Sequence, residues 1–158
     1  MSTNHSNLSD YDMASVPSGD NLTVGLVVSE WNEDITESLY SGAYDTLVER
    51  GVISNNIKRI NVPGSFELVY GSKKMIQSNV DVVIAIGCVI KGETEHFNYI
   101  CHSVSNGIID LNINFNTPVV FCVLTDNNKQ QSVDRSGGKH GNKGVEAAIT
   151  ALKLSAIK

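Results

Sequence analysis

The densest chemical signal in this chain is the hexapeptide Lys91-Gly92-Glu93-Thr94-Glu95-His96. Gly92 lets the backbone turn sharply, Thr94 suits a helix N-cap, and the amides that follow make a partially positive end that favours an anion such as phosphate. His96 then falls in the first helical turn beside that anion, and imidazole is the side chain best suited to accept and return a proton. Position alone favours a surface histidine, so His96 gains meaning only from what surrounds it. A metal centre built from Glu93, Glu95 and His96 lacks both the i, i+4 spacing and a second histidine, so none is expected. His5, His102 and His140 read as ordinary polar residues.

Three more segments carry unusual residues. Trp31 is the single tryptophan, a flat apolar face that either stacks on a planar ligand or folds back onto the core. Pro63-Gly64-Ser65-Phe66-Glu67 forces a turn that exposes amides, with Phe66 facing the same choice as Trp31 and Glu67 able to accept hydrogen bonds from hydroxyls. The stretch 134–144 reads either as a charged hinge or as a phosphate clamp in which Arg135 supplies planar, permanently charged donors. It is no P-loop, because G-x-x-x-x-G-K-[ST] does not occur and the segment precedes the last helix. To share a phosphate with Thr94, Arg135 must reach it within one chain or from a second one, and the sequence leaves both open.

These residues need a scaffold that gathers them. β-Branched runs at 23–28, 57–62, 82–87 and 118–124 alternate with stretches of helical period, the pattern of parallel strands joined by crossover helices. All four runs read as strands covered on both faces. Ile35, Leu39, Ala43 and Leu47 recur every four residues and mark one buried helix face that Gly51 terminates. Further helices are predicted over about 67–77, 95–112 and 142–156, with a short one near 127–134. In open parallel sheets ligands bind beyond the carboxyl ends of the strands, which selects Ser29-Glu30-Trp31-Asn32, Pro63-Gly64-Ser65-Phe66-Glu67, the stretch from Gly87 to His96, and Thr125-Asp126.

Composition sets the bounds. With 41% hydrophobic and 18% charged residues the chain should fold, and 158 residues suit one domain. Residues 1–21 are polar and without periodicity, so they read as a flexible arm before a domain at 22–158. A charge of −5, from 12 Lys+Arg against 17 Asp+Glu, provides no basic stripe for nucleic acid. The longest apolar run, 82–90, is about half the ~20 residues that span a bilayer, and the polar start lacks a signal-peptide core. Cys88, Cys101 and Cys122 form an odd set without C-x-x-C, consistent with a reducing compartment. The expectation is a cytoplasmic protein with neither membrane nor nucleic-acid partner.

Taken together, four motifs in order resemble the lumazine synthase family: Trp31-Asn32 with Ile35-Thr36; Val62-Pro63-Gly64-Ser65-Phe66-Glu67; Gly87-Cys88-Val89-Ile90-Lys91-Gly92-Glu93-Thr94 followed by His96-Phe97; and Arg135 leading into Gly141-Asn142-Lys143-Gly144. The likeness runs from about Leu22 to the C-terminus. It implies a transferase that condenses 5-amino-6-(D-ribitylamino)uracil with 3,4-dihydroxy-2-butanone 4-phosphate, the penultimate step of riboflavin biosynthesis, with no bound cofactor. Element pattern and resemblance together predict a three-layer α/β/α sandwich, flavodoxin-like, around a four-stranded parallel sheet. Carried over by position, Trp31 stacks on the pyrimidine, Ser65, Phe66 and Glu67 hold ring and ribityl chain, and Cys88, Val89 and Ile90 offer backbone hydrogen bonds. Glu93, Thr94 and Arg135 hold the phosphate, Glu93 through its amide, and His96 shuttles protons. Phe121 and Arg135 match positions that complete the pocket of a neighbouring subunit, which implies a homopentamer, with a 60-subunit icosahedral shell as one assembly. Trp31 stands where phenylalanine is frequent, a change that keeps the stacking face and would let flavin bind. A flavodoxin or a response receiver fits the loops poorly, because the loop after the first strand is acidic and the third strand closes on Gly87-Cys88. The alternative from another class is a flavin-binding shell protein without catalysis, which would have no need of His96 or Arg135.

Overall fold

The computed structural model describes residues 11–157. Two strands fill the middle of the sheet because their side chains are apolar in both directions: β1 (Val24–Ser29) is buried throughout, and β3 (Val82–Ile90) is buried from Val82 to Cys88. They pair in parallel and are flanked by β2 (Ile57–Val62) and β4 (Val119–Asp126), giving the order β2-β1-β3-β4. Helices cover both faces, so the fold is the expected three-layer, flavodoxin-like α/β sandwich. One expectation is corrected: β2 is not covered on both faces. It forms a sheet edge with Lys58 and Asn61 exposed, and its sequence, IKRINV, already interleaves polar residues. β4 is the opposite edge and exposes Phe121 and Thr125.

Alternation along the strands divides the core in two. Leu26, Val28, Ile84, Ile86, Cys122 and Leu124 point toward α1 (Glu33–Glu49) and α5 (Lys143–Ser155). Val27, Val83, Ala85 and Val123 point toward α2 (Leu68–Ile76) and α3 (His96–Asn114). Ile35, Leu39, Ala43 and Leu47 of α1 are buried on the face their spacing predicts, and Gly51 closes the helix with φ 94°, a conformation that favours glycine. The short α4 (Lys129–Arg135) leads into a hairpin of β5 (Ser136–Gly138) and β6 (Gly141–Asn142).

Residues 11–21 lack strand or helical period, yet they carry a 3-10 turn at Met13–Ser15 and set Val16 into the α1/α5 core, where Arg50 donates to the Val16 carbonyl. Residues 1–10, the rest of the stretch read as an arm, lie outside the described residues. No described helix is long and apolar enough to cross a membrane.

Candidate active site

The site follows from a mismatch of strand lengths. β1 pairs with β3 only as far as Val28 opposite Ile86, whereas β4 stays paired with β3 through Ile90 opposite Asp126. Beyond Ile86 the β1 side of β3 is therefore open, and the loops after β1 and β2 close around it. Those loops are tied together: the Glu30 amide donates to the Val62 carbonyl at 2.9 Å and the Trp31 amide to the Pro63 carbonyl at 3.3 Å. Asn32 takes a left-handed conformation (φ 60°) at the start of α1, which asparagine tolerates better than most residues, and its Nδ2 donates to the Cys88 carbonyl at 3.1 Å. That kink turns Trp31 outward, 73% exposed, instead of onto the core.

The result is a cavity of about 670 Å³ that collects Trp31, Asn32, Ser65, Phe66 and Glu67 from the loops, Cys88, Val89 and Ile90 from β3, and His96 with Ile100 from α3. Phe66 is also exposed, at 54%, so two aromatic faces flank the opening. Ser65 is buried and directs its hydroxyl at the Cys88 carbonyl over 3.5 Å, a weak contact. With Asn32 and Ser65 both on that carbonyl, it is already engaged within the chain. The Cys88 side chain is buried behind the cavity floor, and burial pushes its thiol up to about 11.

Arg135 and Phe121 do not join this group. They line a second cavity of about 860 Å³ along the exposed edge of β4 and the start of α5, together with Asp126, Lys143 and Glu146. Arg135 is fixed at the end of α4, with Nη1 donating to the Gln131 carbonyl at 2.9 Å and Nε 4.0 Å from Asp126 Oδ1. Lys143 Nζ pairs with Glu146 at 2.7 Å. One chain thus holds two cavities on either side of the β3/β4 ends, one lined by aromatic residues and the histidine and one by paired charges that include Arg135.

Glu93 and Thr94 are exposed between Gly92 and α3 and line neither cavity. Thr94 is not the helix N-cap, which corrects the expectation: Glu95 holds that position with helical angles, and Thr94 Oγ1 accepts only a long 3.4 Å bond from the His96 amide. Glu95 instead closes the turn through its carbonyl, which accepts from the Asn98 amide at 3.0 Å, and through its carboxylate, which accepts from Asn98 Nδ2 at 2.6 Å. Sequence reasoning placed Asn32 and Asp126 at the ligand end of the sheet without a specific role, and passed over Ser132. A left-handed asparagine after a strand is a detectable signal, but the other two become conspicuous only when α4 sets Ser132 between Cys88 and Asp126.

Residues 21–158 match the family model of 6,7-dimethyl-8-ribityllumazine synthase. A 6,7-dimethyl-8-ribityllumazine synthase of Flavobacterium johnsoniae is 58% identical over all of this chain and 84% of its own length. Those of Christiangramia forsetii and Porphyromonas gingivalis are 56% and 54% identical, each over all of this chain and over 95% and 99% of their own lengths. Likeness of this depth spans every segment of both cavities, and the chain belongs to the 6,7-dimethyl-8-ribityllumazine synthase family.

Proposed function

We propose that this chain condenses 5-amino-6-(D-ribitylamino)uracil with 3,4-dihydroxy-2-butanone 4-phosphate to give 6,7-dimethyl-8-ribityllumazine, phosphate and water, at a site completed by two copies of the chain. The observation that carries the reading is the division of the candidate residues: Trp31, Phe66, Glu67 and His96 share one cavity while Phe121 and Arg135 share another. In this reading the pyrimidine stacks on Trp31 beside Phe66, and Glu67 accepts from the ribityl hydroxyls. Ile90 and Val89 present backbone groups to the uracil, while the Cys88 carbonyl, being occupied, shapes the floor. The phosphate lies between the 92–96 turn of one copy, with Glu93 contributing its amide and Thr94 its hydroxyl, and Arg135 of the next.

The chemistry needs no enzyme-bound covalent intermediate. The substrate's own amine adds to the ketone and water leaves as the imine forms; loss of the C3 proton next to it expels phosphate from C4 and leaves an enol, which tautomerises to a C3 ketone, and the ribityl-bearing amine closes on that new ketone with loss of a second water. His96 carries protons between these steps, and a phosphate dianion beside it favours the imidazolium that acts as the acid. Arg135 stabilises the charge that collects on the departing phosphate.

A homopentamer, with a 60-subunit shell as a further stage, is the assembly we propose. Two features support a partner: the separation of the candidate residues into two cavities, and an exposed stripe on α3 formed by Tyr99, Ile109 and Ile113. Residues 22–158 form the catalytic domain in this reading, preceded by an arm, and the enzyme works in the cytoplasm. The test is lumazine formation followed by absorbance. His96→Ala should lower kcat by about 10²-fold or more, and Arg135→Ala should raise KM for the phosphate substrate by about tenfold or more. An unchanged rate in either variant removes that residue from the mechanism.

A further inference from the structure

A line of hydrogen-bonding side chains runs beneath both cavities. The Cys88 thiol donates to Ser132 Oγ at 3.4 Å, Ser132 donates to Asp126 Oδ2 at 2.8 Å, and Asp126 Oδ1 faces Arg135 Nε at 4.0 Å. Ser132 is fully buried and Asp126 is 7% exposed, so water cannot readily stand in for these partners. Every proton in the line points toward the carboxylate. Because burial keeps the thiol protonated, Cys88 occupies an acceptor position of Ser132, and the serine commits its own hydrogen to Asp126.

The carboxylate is thereby pinned by one oxygen while the other stands off from the guanidinium. At 4.0 Å the pair is longer than the roughly 2.8 Å of a charge-assisted hydrogen bond, so Asp126 attracts and orients Arg135 without closing on it. A carboxylate released from Ser132 would be free to rotate and grip the guanidinium with both oxygens, competing with a phosphate. On its other side Arg135 is held by the Gln131 carbonyl through Nη1. Nη2 is left without a hydrogen bond to any described residue, and the guanidinium borders the cavity that contains Phe121.

We propose that Asp126, pinned by Ser132, is a positioning residue that aims Arg135 at the phosphate of the substrate held by the neighbouring copy. The inference rests on the reading of Arg135 given above. It is tested by measuring KM for both substrates in Asp126→Asn, Ser132→Ala, Arg135→Ala and Asp126→Asn/Arg135→Ala, with urea midpoints as the control for folding. Asp126→Asn should raise KM for 3,4-dihydroxy-2-butanone 4-phosphate roughly tenfold and leave KM for the aminouracil within about twofold. Ser132→Ala, which retains the carboxylate, should move the same constant in the same direction and serves as the test if Asp126→Asn does not fold. In the double variant the aspartate substitution should add nothing to the effect of Arg135→Ala, because a residue that acts only through the guanidinium has no effect once that group is gone. Additive losses, or a KM that stays put or falls in both single variants at 126 and 132, overturn the proposal. If Arg135→Ala itself leaves KM unmoved, the reading of Arg135 fails and takes this inference with it; an effect at 135 with none at 126 or 132 refutes this inference alone.

Discussion

Trp31 and the two buried cysteines show how differently single residues can be used in one small sheet. Trp31 has a left-handed asparagine behind it and most of its surface outside the core, so its removal should cost binding more than stability. Loss of one aromatic face under a base is worth about 1–3 kcal/mol, so Trp31→Ala should raise KM for the aminouracil about tenfold, with Trp31→Phe near wild type; steady-state kinetics check both. Cys88 and Cys122 are the opposite case. Burial pushes their thiols up to about 11 and about 12, from an ordinary 9.0. The folded chain therefore holds these protons more tightly than the unfolded chain, so their stabilising effect is complete below pH 9 and is lost as pH rises through 11 and 12. The urea midpoint should fall as pH rises above 9, and less steeply in the Cys88→Ala/Cys122→Ala variant than in wild type. A single-residue reading of the sequence found Trp31 because a lone tryptophan after a strand is conspicuous. It passed over Ser132 and gave Asp126 only a place at the sheet mouth, since a serine in a short helix and an aspartate at a strand end are common until a thiol and a guanidinium are seen at either end of the line.

At the scale of elements, Asn142 connects the parts that carry Arg135. Its Oδ1 accepts from the Gly144 amide at 2.8 Å as the N-cap of α5, and its Nδ2 donates to the Ser38 carbonyl of α1 at 2.9 Å. Ser38 in turn donates to the Ser136 carbonyl of β5. Gly144 lets α5 approach this closely: a Cβ there would lie 1.9 Å from the Leu39 carbonyl oxygen of α1. Asn142→Ala should therefore lower stability by about 1–2 kcal/mol, a lost cap plus a lost hydrogen bond to α1. Gly144→Ala should be worse still, because its obstacle is backbone and cannot move aside; chemical denaturation ranks the two. The same packing explains which elements were legible in the sequence. α1 announces itself because Ile35, Leu39, Ala43 and Leu47 all face one core, and β1 and β3 because neither face meets water. β2 deceived, since a run with valine and isoleucine at its ends was read as central although Lys58, Arg59 and Asn61 already marked it as an edge. Thr94 deceived for a different reason: cap preference describes residue types, and here the backbone begins its helical turn one residue later.

For the whole molecule, the proposed sharing of a site between two copies makes activity a property of neighbouring pairs. If each working site takes His96 from one copy and Arg135 from the next, two inactive variants can repair one another. A ring assembled from equal amounts of His96→Ala and Arg135→Ala chains contains pairs in which an Arg135→Ala copy, with its histidine intact, meets a His96→Ala copy, with its arginine intact. With random placement each of the two positions is filled correctly half the time, so about a quarter of the sites should be whole. The experiment is to dissociate both purified variants in denaturant, refold them together and separately, and measure lumazine formation per chain. Co-refolding should restore about a quarter of the wild-type rate, and more than simple mixing of the separately refolded variants. A site confined to one chain predicts no recovery under either protocol, as every chain in the mixture would still lack one of its two groups.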